Sequence, residues 1–211
     1  MSLVLHGYFY SVYTRIARLA LAEKGLVYDR VEVNPFDPDL SPSYLALHPF
    51  GRVPTLVHDG FALYETGAIS RYIDRAFSGP ALQPGEPRAL ARMDQIIGIV
   101  DAYGYWPMVR QVFSHAVFRP HAGRPGDLTE IQRGLADSAK VLAALEPLVD
   151  DAETLTLADL HLGAMVAYLV LAPEGAALLR QHRRLTAWWD KLAARPSVAL
   201  TDPGLPTPSP T

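Results

Sequence analysis

The sequence predicts two parts: an α+β N-terminal domain built on a mixed four-stranded sheet, followed by an all-α C-terminal domain. Short apolar or alternating segments typical of strands occur only in the first third of the chain. From residue 88 to residue 201 the apolar side chains keep helical spacing instead. Residues 78–87 lie between the two parts and hold three prolines and two glycines in ten residues, so we predict an interdomain linker there.

The first 77 residues alternate between strand and helix patterns in the order βαβ, α, ββα. The βαβ unit is expected to have the usual right-handed crossover. Gly25 predicts the end of the first helix, and Asp59-Gly60 predicts a tight hairpin between the last two strands. The predicted strands cover residues 3–8, 28–33, 53–57 and 61–64, and the predicted helices cover residues 15–24, 41–47 and 65–77.

The C-terminal domain is predicted to be helical throughout. Its first helix is expected to break at Trp106-Pro107, because a proline inside a helix removes a backbone donor. Thr156 and Asp159 have the spacing of a capping box at the start of a later helix. Residues 202–211 contain four prolines, which predicts a disordered tail. The predicted helices cover residues 88–105, 107–118, 128–149, 157–171 and 186–194.

Composition excludes several classes of function. The chain has no cysteine, so a disulfide framework, a thiolate metal site and a cysteine nucleophile are all impossible. A net charge of -3 without a basic stripe argues against nucleic acid as a partner. No apolar run approaches the ~18 residues of a membrane span and no signal-peptide pattern is present, so we expect a cytoplasmic protein without a membrane partner. The seven histidines lack metal-ligand spacing, and His161 is expected to be a hydrogen-bonded core residue.

Val53-Pro54, at the start of the third predicted strand, is the first of three candidate binding motifs. A cis bond before Pro54 would turn the backbone of Val53 outward, where it could pair with an extended peptide ligand. The alternative is an ordinary trans proline at a strand edge. We predict the cis form because two further motifs suit a peptide-like ligand.

Glu65-Thr66 is the second motif and begins a helix that directly follows a strand. Free N–H groups and the positive end of the helix dipole bind carboxylates at such a position. Glu65 would hold an amino group beside that carboxylate, and a γ-glutamyl group carries this pair of charges. The alternative is a plain helix cap formed by the same two residues.

Ser11 is the third motif and lies between the first strand and the first helix. A hydroxyl that donates to a bound thiol stabilises the thiolate, which is the nucleophilic form. Because the chain has no cysteine, the sulfur must come from a ligand. The alternative is a simple N-cap serine. No histidine or aspartate pairing and no G-x-S-x-G motif point to Ser11 as a nucleophile, so we reject a serine hydrolase.

These motifs occur in one order and on one topology, and together the chain resembles the cytosolic glutathione transferase superfamily over residues 1–200. The resemblance implies a thioredoxin-like domain at residues 1–77, a linker at 78–87 and an all-helical domain at 88–201. The class with the nearest pattern is the serine-type phi class. The resemblance is carried by residues 11–15, 22–28, 48–56, 63–69 and 72–73, by Thr156-Leu157-Ala158-Asp159, and by Trp188 with Arg195-Pro196.

The resemblance assigns a role to each candidate site residue. It implies that Ser11 activates the thiol of glutathione and that the backbone of Val53, before Pro54, pairs with the cysteinyl part. Glu65 and Thr66 would hold the γ-glutamyl group, although Thr66 replaces the commoner serine. Arg52 would reach the glycyl end. One alternative donor to the thiol stays open, because three phenols surround Ser11 in the sequence: Tyr8, Tyr10 and Tyr13.

The pocket for the second substrate is predicted from the aromatic residues around Pro107 and those beside Ser11. Such clusters also occur as ordinary core packing, but the resemblance implies that this helix faces the active site. The candidate pocket residues are Phe9, Tyr10, Tyr103 and Trp106.

The function implied is a glutathione transferase that conjugates the glutathione thiolate to a small apolar electrophile, as in detoxification. Its co-substrate would be glutathione, with no metal, and it would form a homodimer. Two alternatives stay open. One is a glutathione-dependent isomerase or dehalogenase, although Tyr10-Ser11-Val12 differs from the run typical of the isomerases. The other is a non-catalytic protein that binds glutathione or hydrophobic ligands.

Overall fold

A computed structural model describes residues 1–149 and 154–206. The N-terminal part forms a four-stranded sheet in the order β2-β1-β3-β4. Strand β1 pairs in parallel with β2 and antiparallel with β3, and β3 pairs antiparallel with β4. The predicted mixed sheet is therefore confirmed. The strands are β1 (Leu3–Gly7), β2 (Asp29–Glu32), β3 (Thr55–His58) and β4 (Phe61–Tyr64).

The hairpin between β3 and β4 turns where the sequence predicts it. Asp59 and Gly60 both have positive φ angles, 46° and 86°. Two consecutive positive φ values are the signature of a type I′ turn, whose twist matches that of the flanking strands. This turn sets the register of β3 against β4, in which Leu56 lies opposite Leu63. On its other side Leu56 lies opposite Leu5 of β1, and the side chains of Leu56 and Leu5 are buried in the core.

The first helix, α1 (Val12–Glu23), begins three residues earlier than the apolar spacing predicts. Ser11 is its N-cap, and this cap extends the helix back to the end of the β1–α1 loop. Gly25, at a φ of 65°, ends the helix as predicted. Gly7 allows the strand and the helix to meet, because a Cβ there would lie 2.4 Å from Cγ2 of Thr14. Ser11 is thereby held beside the end of β1.

Two further helices complete the N-terminal part. Helix α2 (Pro42–Leu47) starts after Ser41, whose hydroxyl accepts from the N–H of Tyr44 at 3.3 Å. Helix α3 (Thr66–Ala76) follows β4 directly. The chain from residue 77 to residue 86 then has neither helix nor strand.

The predicted helix break at Trp106-Pro107 is wrong. Helix α4 (Pro87–Ile99) runs on through two π-helical segments, Val100–Gly104 and Trp106–Phe118, into α5 (Arg119–His121). We call this continuous element, residues 87–121, the long helix. Wider π winding accommodates irregularities inside helices, so Pro107 changes the winding here without ending the helix.

Helix α7 is buried on nearly all sides and packs against α1, the long helix and α9. Helices α8 and α10 were not among the predicted helices, and each begins at a proline. Proline is favoured at the first position of a helix, where its missing N–H is not needed. The bounds are α6 (Leu128–Leu145), α7 (Leu157–Leu169), α8 (Pro173–Leu179), α9 (Arg183–Ala193) and α10 (Pro196–Leu200).

Helix α1 joins the two parts of the molecule. Arg15 and Arg18 of α1 are buried and donate to the carbonyls of Val198 and Thr201, at 3.2 and 3.0 Å. The next residues, 202–206, have no helix or strand, but Pro203 is buried. The rest of the predicted tail, residues 207–211, lies outside the described residues. Within residues 1–149 and 154–206, no helix has both the length and the apolar character needed to cross a membrane.

The predicted capping box at the start of α7 is present. The carboxylate of Asp159 accepts from the N–H of Thr156 at 2.7 Å, and its other oxygen accepts from Nε1 of Trp188, also at 2.7 Å. Asp159 therefore ties the buried helix α7 to α9. This second bond crosses between helices and has no signature in the local sequence.

The indole bond to Asp159 predicts a measurable stability effect. Trp188→Phe keeps a large ring but removes the donor to a carboxylate, so we expect a loss of about 1.5 kcal/mol in the free energy of unfolding. Urea titration followed by far-UV circular dichroism measures it. Trp189→Phe is the matched control, since Trp189 donates no hydrogen bond to the described residues. Equal midpoints for the two variants would contradict the prediction.

Candidate active site

One cavity of about 820 Å³ lies between the N-terminal sheet and the long helix, and residues of both parts line it. The structure brings together there all three motifs that the sequence indicates, although Ser11 lies more than forty residues before the other two in the chain. The predicted residues that line it are Tyr10, Ser11, Arg52, Val53, Pro54, Glu65, Thr66 and Trp106.

Ser11 is both a helix cap and a cavity residue. Its Oγ accepts from the N–H of Thr14 at 3.3 Å, as an N-cap side chain does. Accepting that bond leaves the hydroxyl hydrogen available, and it is donated to no group in residues 1–149 and 154–206. The two interpretations of Ser11, an N-cap and a donor to a bound thiol, are thus compatible. The cap uses a lone pair of the hydroxyl oxygen, and donation to the thiol uses the hydroxyl proton.

The Val53–Pro54 peptide bond is cis, as predicted. The Val53 N–H and C=O form no hydrogen bond to any other described residue. A hydrogen bond fixes the turn before Val53, because the Tyr44 hydroxyl donates to the carbonyl of Arg52. A free donor and acceptor on one residue at the end of β3 can pair with an extended ligand as a further strand would.

The start of α3 supplies the second half of the site. The first backbone N–H bonded within the helix is that of Ile69, which donates to the Glu65 carbonyl at 2.9 Å. The N–H groups of Thr66, Gly67 and Ala68 therefore remain free in the described structure and carry the positive end of the helix dipole. Together these groups form a site for a carboxylate.

Glu65 itself has unusual geometry. Its φ angle is 71°, a value that only a few per cent of non-glycine residues adopt and that costs energy. Its side chain is exposed and does not cap the helix, so the alternative of a plain cap does not describe Glu65. The backbone strain places a free carboxylate beside the free N–H groups. A ligand that carries both an ammonium and a carboxylate matches this pair.

A buried hydrogen-bond chain supports the start of α3 from the helical side. The Ser70 hydroxyl donates to the Thr66 carbonyl at 2.9 Å and lies 3.4 Å from Nε2 of His161. The other ring nitrogen of His161 lies 3.3 Å from Oδ1 of Asp101, which lines the cavity. His161 is fully buried, so the prediction of a hydrogen-bonded core histidine is confirmed.

Known proteins are similar to this chain in both sequence and architecture. A family model for the N-terminal domain of glutathione S-transferases matches residues 5–81. Glutathione S-transferase F10 of Arabidopsis thaliana is 32% identical over 187 residues, which cover 85% of this chain and 86% of the relative. The chain belongs to the glutathione S-transferase family. Its relatives are of the plant phi class, as predicted.

Solved structures of glutathione transferases extend the likeness over the whole fold. Glutathione S-transferase III in its apo form superposes with a TM-score of 0.82 at 29% identity, and all of both chains is covered. Glutathione S-transferase I of maize, solved with an atrazine–glutathione conjugate, has a TM-score of 0.80 at 28% identity, with 95% and 96% of the chains covered. The predicted thioredoxin-like domain followed by an all-α domain is thus confirmed.

The transferase brings three phenols to the same cavity as Ser11. Burial raises the pKa of Tyr8 and of Tyr13, and nearby phenols and carboxylates raise both further. These two phenols therefore keep their protons at neutral pH, so each can donate a hydrogen bond to a thiolate. Tyr8, Tyr10 and Tyr13 all line the cavity, so the alternative donor to the thiol stays open.

Two predicted pocket residues of the transferase, Phe9 and Tyr103, do not line the cavity. The Phe9 ring lies under the guanidinium of Arg30, 4.6 Å from the ring centre, on the outer side of the loop. Tyr103 is 66% exposed on the far side of the long helix. Neighbouring residues on a helix or a turn point in different directions, and spacing alone did not reveal which side would face the cavity.

The π-helical winding of the long helix explains which of its residues the transferase uses. The cavity-lining residues come in pairs that recur every four or five positions: 105 and 106, 109 and 110, 113 and 114, 118 and 119. In an α-helix of 3.6 residues a turn, positions 105 and 118 would point in nearly opposite directions. Wider winding brings all four pairs to one face. Tyr105, Phe113 and Phe118 of the aromatic cluster around Pro107 line the pocket, and no signal in the sequence indicated these further lining residues: Phe36, Val109, Arg110, Arg119 and Arg124.

Among residues 1–149 and 154–206, no three histidine, aspartate or glutamate side chains are close enough together to hold an ion.

Proposed function

We propose that this transferase conjugates the thiolate of glutathione to an electrophile that binds against the long helix. The observation that carries the proposal is that the Ser11 hydroxyl, the free backbone of Val53 and the start of α3 open into one cavity. These three features match the thiol, the peptide backbone and the γ-glutamyl group of a single ligand. The glutathione conjugate bound in the maize relative supports the same chemistry.

In this proposal each part of glutathione has its own partner. The free N–H groups at the start of α3 hold the γ-glutamyl carboxylate, and the side chain of Glu65 holds the ammonium group. Thr66 adds a hydroxyl at the same place. The N–H and C=O of Val53, before Pro54, pair with the cysteinyl residue. The guanidinium of Arg52, which is exposed, reaches the glycyl carboxylate.

Ser11 acts on the sulfur in this mechanism. Its hydroxyl donates a hydrogen bond to the thiolate, while its lone pair keeps the N–H of Thr14. The N-terminus of α1 adds the positive end of a helix dipole at the same point. Both effects favour the anion over the thiol, so more of the nucleophile is present at neutral pH. The thiol proton passes to solvent as the thiolate forms. The thiolate then attacks the electrophilic carbon: a C–S bond forms, and the leaving group, such as chloride, departs with the electron pair of the bond that breaks.

Two measurements test the proposal together. Retention on immobilised glutathione with elution by free glutathione tests binding, and consumption of 1-chloro-2,4-dinitrobenzene in the presence of glutathione tests conjugation. We expect both. Binding without turnover, and without a thiolate absorbance of the complex, would favour the non-catalytic carrier. Turnover only of substrates that undergo glutathione-dependent isomerisation or dehalogenation would favour a glutathione-dependent isomerase or dehalogenase.

We also propose that the protein is a cytoplasmic homodimer that acts in detoxification, with domains at residues 1–77 and 88–201 and a linker at 78–87. Phe50 is 70% exposed, and burial of this ring against a partner subunit would remove its apolar surface from water. The lack of helix or strand in residues 77–86 supports the linker. Light scattering during size-exclusion chromatography tests the dimer, and a monomeric mass would contradict it.

A further inference from the structure

The cavity carries more positive charge than conjugation to an uncharged acceptor requires. Four arginines and two carboxylates, Glu65 and Asp101, line it. The chain as a whole has a net charge of -3, so the positive lining is a local feature. The four arginines are Arg52, Arg110, Arg119 and Arg124.

None of the four lining arginines has a carboxylate partner among the described residues. Arginines elsewhere do: Arg195 pairs with Glu23 at 2.6 Å, and Arg71 pairs with Asp94. The proposed function uses the charge of Arg52 for the glycyl carboxylate. The other three come from the long helix and the loop after α5, and the proposed function leaves their charges without a partner.

Two of these guanidinium groups are positioned by contacts that leave donors free. Arg110 lies over two aromatic rings, 5.6 Å from the centre of Phe36 and 6.0 Å from that of Trp106. Arg119 donates from Nε to the carbonyl of Pro125 at 2.9 Å, which leaves its two Nη groups. Stacking and a single backbone bond hold a guanidinium in place without neutralising it.

The acceptor side of the cavity therefore combines an aromatic wall with unpaired cations. Arginine donates two parallel hydrogen bonds to a planar carboxylate or to a sulfonate, and such charge-assisted bonds are stronger than neutral ones. We propose that the preferred acceptor is an aromatic electrophile that bears an anionic substituent, a carboxylate or sulfonate, held by Arg110 and Arg119. This inference rests on the proposed function and specifies its substrate class. The aromatic wall is formed by Tyr10, Tyr105, Trp106, Phe113 and Phe118.

The test compares two acceptors of nearly the same size and shape, one anionic and one neutral: 4-chloro-3,5-dinitrobenzoate and its primary amide. In both, the thiolate forms a C–S bond to the carbon that bears chlorine, and chloride leaves with the electron pair of the broken C–Cl bond. The thiol proton is released to solvent before this step, when the thiolate forms. The readout is the ratio of kcat/KM for the carboxylate to kcat/KM for the amide, corrected for the uncatalysed rates.

We expect the wild type to favour the carboxylate and Arg110→Met or Arg119→Met to lower the ratio about tenfold, the effect of one lost charge-assisted bond. Arg110→Lys keeps the charge and should retain most of the preference. Arg88→Met is the matched control, because it removes the same charge from an exposed position of the same helix outside the cavity. Added salt should lower the wild-type ratio, since it screens the attraction.

The outcomes separate this inference from the proposed function. A wild-type ratio at or below one, or a ratio that is the same in the Arg110→Met, Arg119→Met and Arg88→Met proteins, overturns the charge preference while conjugation stands. No turnover of either acceptor by a protein that still binds glutathione overturns both. If Arg110→Met does not fold, Arg119→Met and Arg110→Lys still decide the question.

Discussion

Ser11→Ala is expected to raise the apparent pKa of the thiol of bound glutathione enough to reduce the thiolate at neutral pH about tenfold, which corresponds to ~1.4 kcal/mol. The reason is that the variant loses the N-cap hydroxyl of α1, which lines the cavity and donates its proton to no described residue. The acid limb of the kcat/KM profile should therefore move to higher pH. A pH–rate profile with 1-chloro-2,4-dinitrobenzene and the thiolate absorbance of the binary complex measure the shift.

The same variant also loses a helix cap, and Ser41→Ala controls for that loss. Ser41 caps α2 with the same geometry, an Oγ that accepts a backbone N–H at 3.3 Å, and it does not line the cavity. Both variants should lose stability by a similar amount, ~1 kcal/mol. Only Ser11→Ala should change the pH profile, and glutathione affinity should change little in either.

An unchanged profile in Ser11→Ala would remove this hydroxyl from the mechanism. The next donors to test would be the phenols that line the same cavity, each as its phenylalanine variant: Tyr8, Tyr10 and Tyr13. If the wild type binds glutathione but shows no thiolate shift, the carrier alternative replaces the enzyme.

Glu65→Ala is expected to weaken glutathione binding by ten- to a hundredfold while the fold stays intact. The ligand's ammonium group would lose its charged partner, and a hydrogen bond between charged groups contributes roughly 1.5–3 kcal/mol. Calorimetric titration with glutathione measures the dissociation constant. Glu65→Gln keeps the length of the side chain and should show most of the loss, because the charge is what the variant removes.

Glu86→Ala provides a matched control for the Glu65 prediction. Glu86 is also the residue before a helix, but its carboxylate accepts from the N–H of Ala89 at 2.8 Å and it lies outside the cavity. Removing it should affect the start of α4 and leave glutathione affinity unchanged. An identical dissociation constant in wild type and Glu65→Ala would mean that Glu65 has no role in binding.

Much of the local structure could be predicted from the sequence, because it depends on residues that are close together in the chain. The hairpin at Asp59-Gly60 and the helix end at Gly25 depend on backbone angles that a few residues determine among themselves. The capping box at Thr156 and the capped start of α1 are likewise decided within one helical turn. Ser11, the cis bond before Pro54 and the start of α3 are therefore predictable as separate motifs.

Spacing along the chain does not show that Ser11 and Glu65 meet in one site. The family resemblance implied that they do, and the tertiary structure places both in one cavity. The direction of single side chains also depended on packing: Phe9 turns to Arg30, whereas its neighbour Tyr10 lines the cavity. Both are aromatic, and nothing local distinguishes them.

The long helix shows most clearly what could not be predicted from the sequence alone. Its sequence predicted a break at Pro107, but the tertiary structure has a wider winding that keeps it continuous and turns Arg110, Phe113 and Arg119 to one face. The sequence by itself determined the turns, the caps and the succession of strands and helices along the N-terminal part, because these depend on interactions between near neighbours. Only the tertiary structure decided the winding and the lining of the acceptor pocket, because these depend on packing against α6 and α7, which are distant in the chain.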